Sequence, residues 1–259
     1  MWSKITPGGQ LMRTGGHMAR LLILLALVLV ATPAWAQTRD ENSAQCANPD
    51  ADIRIKGCTA LINSGQENQE NLAIIYTNRG VAENKKGLYD KAIADATKAI
   101  SLSPGFANAY AVRGSGYRLK GSNDQAIVEY NKALELKSTA PIRAIIVSDR
   151  GKAFENKGMH DAAIADFSQA IALNPDFASA YNGRAWSLHV KGEDAKGLPD
   201  VEKALTLAAN NAVYIETRAE ILEKLGQRDK AVADYRAALK LDPTDDGSKA
   251  GLKRLGAAP

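Results

Sequence analysis

Five arginines and five acids recur in this chain at one fixed offset. Arg79, Arg113, Arg150, Arg184 and Arg218 are each followed sixteen residues later by a carboxylate: Asp95, Glu129, Asp166, Asp200 and Asp234. A row of guanidinium groups could grip an anionic ligand, since each presents a rigid fork of donors. The two columns repeat in step, which favours a structural reading: each Arg pairs with an acid and orders helix packing more than it adds stability, because desolvation offsets much of the attraction. Cys46 and Cys58 are the only cysteines. In an oxidising compartment they are expected to form a disulfide contributing about 2–3 kcal/mol. A buried Cys58 thiol with Cys46 free, or a metal site, are the alternatives, the latter disfavoured by the lack of a nearby His. Beyond residue 36 only His160 and His189 remain. Zinc-protease, nucleophile-elbow, phosphate-loop and paired-carboxylate signatures are missing, and every acidic cluster recurs with the Arg column. The chain therefore reads as no enzyme, with no cofactor and no metal.

What repeats is a whole segment. Gly80, Gly114, Gly151, Ala185 and Ala219 stand at steps of 34, 37, 34 and 34. Twelve residues on come Ala92, Ala126, Ala163, Gly197 and Ala231, and seven further Ala99, Ala133, Ala170, Ala204 and Ala238. Apolar residues at three- and four-residue spacing predict two amphipathic helices per segment, with the small residues where backbones approach. Gly87, Gly121, Gly158, Gly192 and Gly226 suit the left-handed end of the first helix. Asp90, Asp124, Asp161 and Asp229 favour the start of the second, and Pro104, Pro175 and Pro243 terminate it.

The wording "NRG…KGLYDKAIAD…AISLSP" (78–104) and its counterparts resemble the tetratricopeptide repeat, in a form common among exported bacterial proteins. The resemblance covers residues 73–243 and implies an all-α solenoid, a right-handed superhelix of antiparallel helix pairs. Five units follow, about 73–106, 107–143, 144–177, 178–211 and 212–243. Residues 37–72 are expected to be a tail plus a degenerate half repeat, and 244–259 a capping helix with Leu252 and Leu255 on the last unit's apolar flank. "KSTAPIR" (137–143) predicts a longer turn. In the fourth unit Gly197, Pro199 and Ala209 break the pattern, so its second helix is expected to start late or bend.

Residues 1–36 have the make-up of a signal peptide: Lys4, Arg13 and Arg20, the apolar run Leu21–Ala31, then a cleavage box ending at Ala36. An uncleaved anchor is the alternative, and Met18 would also serve as a start. A periplasmic or secreted chain is expected. Cleavage removes three of the 33 basic residues and none of the 29 acidic ones. The near-neutral remainder gives no reason to expect nucleic acid or, once the signal is cleaved, a membrane as partner.

The resemblance also implies a concave face built by the first helices. Its candidate partner-binding residues here are Asn108, Arg118, Lys152, Glu155, Asn182, Trp186, His189 and Glu220. The carboxylate clamp that binds chaperone C-terminal tails is not present: its positions hold Thr77, Val81, Val112, Ile145 and Asp149, so such tails are not expected. The expected function is a protein-interaction module (adaptor or scaffold) binding a peptide or protein partner. The alternative is a structural or self-assembling component of a cell-envelope complex.

Overall fold

The computed structural model describes residues 38–258, so the signal-peptide expectation for residues 1–36 lies outside them. The described residues form an all-α chain: α1 (Arg39–Cys46), α2 (Ala51–Ser64), α3 (Gln69–Lys85), α4 (Tyr89–Leu102), α5 (Ala107–Leu119), α6 (Asn123–Glu135), α7 (Ala140–Asn156), α8 (His160–Leu173), α9 (Ala178–Val190), α10 (Asp194–Leu207), α11 (Ala212–Lys224), α12 (Arg228–Leu241) and α13 (Asp246–Arg254). Each helix packs on the next, and α3, α5, α7, α9, α11 and α13 also pack side by side. The odd-numbered helices thus form one continuous layer and the even-numbered ones back it, as in a solenoid.

Small residues make the close approach possible. Phe167 on α8 is fully buried and wedges between α7 and α9. A Cβ added to Gly151 would lie 3.0 Å from its ring, and one added to Gly183 2.5 Å. Tyr130 and Tyr235 are buried in the same way, against Gly114 and Gly251. At the turn inside each pair a glycine takes the left-handed conformation (Gly87 to Gly226, φ 71–84°), which side chains with a Cβ resist.

Four of the five column arginines join three helices at a time. Arg79 forms a two-pronged bond to Asp95 on α4 (2.6 and 2.9 Å) and reaches Thr59 on α2 with its third nitrogen (3.0 Å). Arg150 binds Asp166 and Asn131, and Arg184 binds Asp200 and Ser168, in the same arrangement. Arg218 grips Asp234 with two nitrogens, and Arg113 grips Glu129 with one. Outside these, an exposed column ties each of the first four units to the pair before: Lys86–Asp52, Lys120–Asp90, Lys157–Asp124 and Lys191–Asp161. Exposed pairs of this kind add at most a few tenths to about 1 kcal/mol each.

Three expectations about the repeat pattern are corrected. The extra residues before Ala144 lengthen α7, not the turn, which spans 136–139 and matches 103–106 and 174–177. Pro141 sits in the first turn of α7, where its missing N–H would have had no partner anyway. Helix α10 neither starts late nor breaks at Pro199: it runs from Asp194 to Leu207, as long as α8. Pro199 and Ala195, whose carbonyl loses its partner, are both exposed, so water replaces the lost bond. Within residues 37–72 the expected half repeat is helix α2, but the stretch expected to be a tail forms a further helix, α1.

That hairpin is closed by a Cys46–Cys58 disulfide, with the two Cα atoms 4.5 Å apart. A Cβ added to Gly57 would come 2.4 Å from Gln45 Cβ, so glycine permits this crossing. Cys46, Cys58, Leu61 and Ile75 form a small apolar cluster, and Arg39 bonds Glu67 (2.7 Å). At the other end Leu252 is fully buried among Ala219, Leu222, Ala231 and Tyr235, with Leu255 beside it.

Two outcomes follow from this packing. Reducing the disulfide should cost about 3 kcal/mol in urea unfolding. Thiol alkylation of the unfolded chain should find both cysteines only after reductant; equal labelling without reductant would refute the bond. Arg184→Leu, which strands a largely buried Asp200, should cost about 2–4 kcal/mol, and adding Asp200→Leu should recover most of it.

Candidate functional site

The odd-helix layer carries a groove of about 660 Å³ between α3, α5 and α7. Val81, Ala111, Val112, Leu119, Ile142 and Ile145 give it apolar walls, and Lys85, Asn108, Ser115 and Asp149 give it polar edges. Val81, Leu119 and Ile145 are 40%, 39% and 51% exposed. The exposure is patterned: of the eleven large hydrophobics exposed among the described residues, six (Ile74, Val81, Leu119, Ile145, Val190 and Val213) fall at the second, ninth or thirteenth place of a unit. Those places lie on the first helix, and six of the groove residues hold them in the first three units.

Of the residues singled out for polarity, Asn108 lines this groove. Lys152 is held by Asp149 (3.1 Å), whose other oxygen lies 3.4 Å from Ser115 Oγ. Arg118 is half-buried with no partner for its Nε, and Asn182 has none for its buried Oδ1. Glu155 accepts from Ser187 on α9 (3.4 Å). Trp186 is half-buried and its ring lies 5.3 Å from that of His189. His189 Nδ1 in turn lies 2.5 Å from Asp194 Oδ1. His189 and Glu220 border a second recess of about 330 Å³ with Glu223, Lys224 and Arg254. Trp186 does not fill the space left by Gly197, which is taken by the Ala185 carbonyl, Ile221 and Leu188. The Arg column is paired with its acids in all five units, with Arg113 Nε left without a partner.

Electrostatics differ along the layer. Burial pushes the Glu155 carboxyl up to about 7, despite the Ser187 bond and the charges of Lys152 and Arg118. Burial also raises Glu220, against the pull of His189 and Arg254. Glu223 is held below the usual carboxylate range, chiefly by its bonds from Arg254. The α3–α7 end is therefore apolar with balanced charges, and the α11 end is rich in carboxyls.

Polarity alone did not single out the apolar walls. The signal that could have found them is present in the repeat register: places left unused by packing are filled here by Val81, Leu119 and Ile145.

A layered stack of helix pairs with these small-residue contacts defines a helical-repeat protein. Tetratricopeptide-repeat models match residues 73–106, 107–139, 149–192 and 212–245. Together these cover more than half of the chain, which belongs to that family. Among solved structures it is similar to PilW, a type IV pilus biogenesis factor (17% identity, TM-score 0.69, covering 83% of this chain and 96% of that one). It is also similar to MamA (26%, 0.53, 63% and 94%). A third is YrrB, described as a tetratricopeptide protein with an unusual peptide-binding site (19%, 0.53, 76% and 97%). No curated protein sequence matches the chain.

Because Trp186 packs on His189 and does not plug the helix interface, Trp186→Ala should leave helical content unchanged and melting nearly so. A large drop in thermal midpoint would make it a packing residue.

Proposed function

We propose that this chain is an exported protein-interaction module, periplasmic or secreted, that binds a segment of a protein partner along its first helices. The observation that carries the reading is the apolar groove of α3, α5 and α7. Exposed apolar side chains cost a soluble protein solubility, and their concentration on one face is a mark of an interaction surface. A preformed groove also lowers the ordering cost of binding on the receptor side. Val81, Leu119 and Ile145 are the apolar anchors, Asn108 and Lys85 fix the register of the segment, and Arg118, Lys152, Glu155, Asn182, Trp186, His189 and Glu220 extend the contact toward α11. The family's use of such faces for peptides, and the peptide site described for YrrB, support the same assignment.

The test is capture from a periplasmic extract by the immobilised mature chain. Ile145→Lys and Leu119→Lys should each reduce capture of the bound protein about ten-fold or more, with melting unchanged because both residues are exposed. Capture that survives both changes but is lost in Trp186→Ala would move the contact to α9. Mass that grows with concentration in light scattering, without any ligand, would favour self-assembly instead.

A further inference from the structure

The last helix is seated through two acids. Asp245 caps α13, its Oδ1 accepting from the backbone amides of Gly247 (3.0 Å) and Ser248 (3.3 Å). Its other oxygen, Oδ2, is buried and has no donor. The carboxyl of Glu216, on α11, is pressed into the same corner. A Cβ added to Gly247 would lie 1.8 Å from Glu216 Oε1 and 3.0 Å from its Cδ, so that carboxyl fills space any residue but glycine would need. Two carboxylates held this close repel, and a buried acceptor without a donor is costly. A single proton removes both penalties.

We infer that Glu216 keeps its proton while α13 is docked and donates it to Asp245 Oδ2, so that seating the C-terminal helix takes up a proton and weakens as pH rises. The surrounding charged groups offer no substitute. On α11, Glu220 adds negative charge and Glu223 is engaged with Arg254 (2.9 Å) and with Tyr235 of α12 (2.6 Å). On α13, Lys249 is paired with Asp246 (3.0 Å), and Lys253 is exposed. Asp242, before the helix, is occupied by Thr244, and on α9 His189 faces Glu220 and Asp194. Burial first, then the charges of Asp245 and Glu220, lift Glu216 from 4.5 to about 7. The sign follows: the docked state holds a proton that the undocked state sheds above 4.5. Docking is tightest below that value, weakens as pH rises to about 7, and is level above. The Glu223 carboxyl, held low, stays ionised throughout this window and adds no slope of its own.

The experiment is carboxyl-carbon NMR titration of Glu216 in the full chain, with amide exchange of α13 measured alongside and corrected for the intrinsic rate. The Glu216 midpoint should lie near 7, and protection of the Gly251 and Leu252 amides should fall roughly fifty- to a hundred-fold between about pH 5 and about pH 8. Glu216→Gln, which keeps an N–H donor, should flatten that profile. A midpoint at the ordinary glutamate value, or an equal slope in Glu216→Gln, overturns the inference. Should the variant fail to seat α13, the wild-type midpoint decides alone.

Discussion

Each of the first four units is organised around a guanidinium that touches three helices. Arg79, Arg150 and Arg184 each leave their own first helix, grip the acid of their own second helix with two nitrogens, and reach the preceding second helix with the third. Arg79, Arg113, Arg150 and Arg184 also lie 5.6–5.9 Å from the aromatic ring of Tyr76, Tyr110, Phe154 or Tyr181 on the same helix, which fixes the side chain before it bonds. The planar fork makes the geometry stringent, where a lysine would tolerate many angles. One residue type thereby sets both the angle within a pair and the step between pairs. Partial burial makes this ordering matter more than the net energy, because desolvation and attraction nearly cancel.

A consequence is felt on the opposite side of the first helices. With the charges and the glycine-aromatic contacts turned toward the second helices, the other face is not needed for packing. Side chains there are free to serve a partner, and an apolar residue there gains nothing from the fold. That separation is why Ile145 can be half exposed beside Ile146, which is 1% exposed and belongs to the core. Neighbouring positions on one helix answer to different constraints.

The fold was legible because it is written repeatedly. A Gly or Ala at one register position is weak evidence, but the same choice five times, with glycine after each first helix, leaves little alternative to stacked pairs. Where the reading erred, it applied local rules without context. Pro199 looked like a break, yet it lies on the exposed side of α10, where solvent replaces its bond. The residues before Ala144 looked like loop, yet Pro141 suits a helix start. Helix α1 was hidden because "RDENSAQC" has one apolar anchor, Cys46, and is held by a covalent bond instead of an amphipathic face. The groove was only half legible. Repeat register marks which positions face it, but a search for polar chemistry passes over valine, leucine and isoleucine.

The two ends of the stack show how differently the same problem can be solved. A solenoid ends in a pair with no neighbour, and its outer flank would expose apolar surface. At the N-terminal end the cover is a helix too polar to hold by packing, and a disulfide supplies what burial cannot. At the C-terminal end Leu252 supplies the burial, and the polar contacts are a strong ion pair, Arg254–Glu223, beside two crowded acids, Glu216 and Asp245. A covalent tie responds to redox conditions and is indifferent to modest pH changes. A carboxyl pair responds to pH and is indifferent to redox conditions. The middle of the molecule, held by the arginine column, is indifferent to redox conditions but carries its own burial-raised carboxyls, Glu83 on α3 and Glu155 on α7. Among the described residues redox sensitivity is therefore confined to the N-terminal end, whereas a change of pH near 7 reaches both α13 and the helices that build the groove.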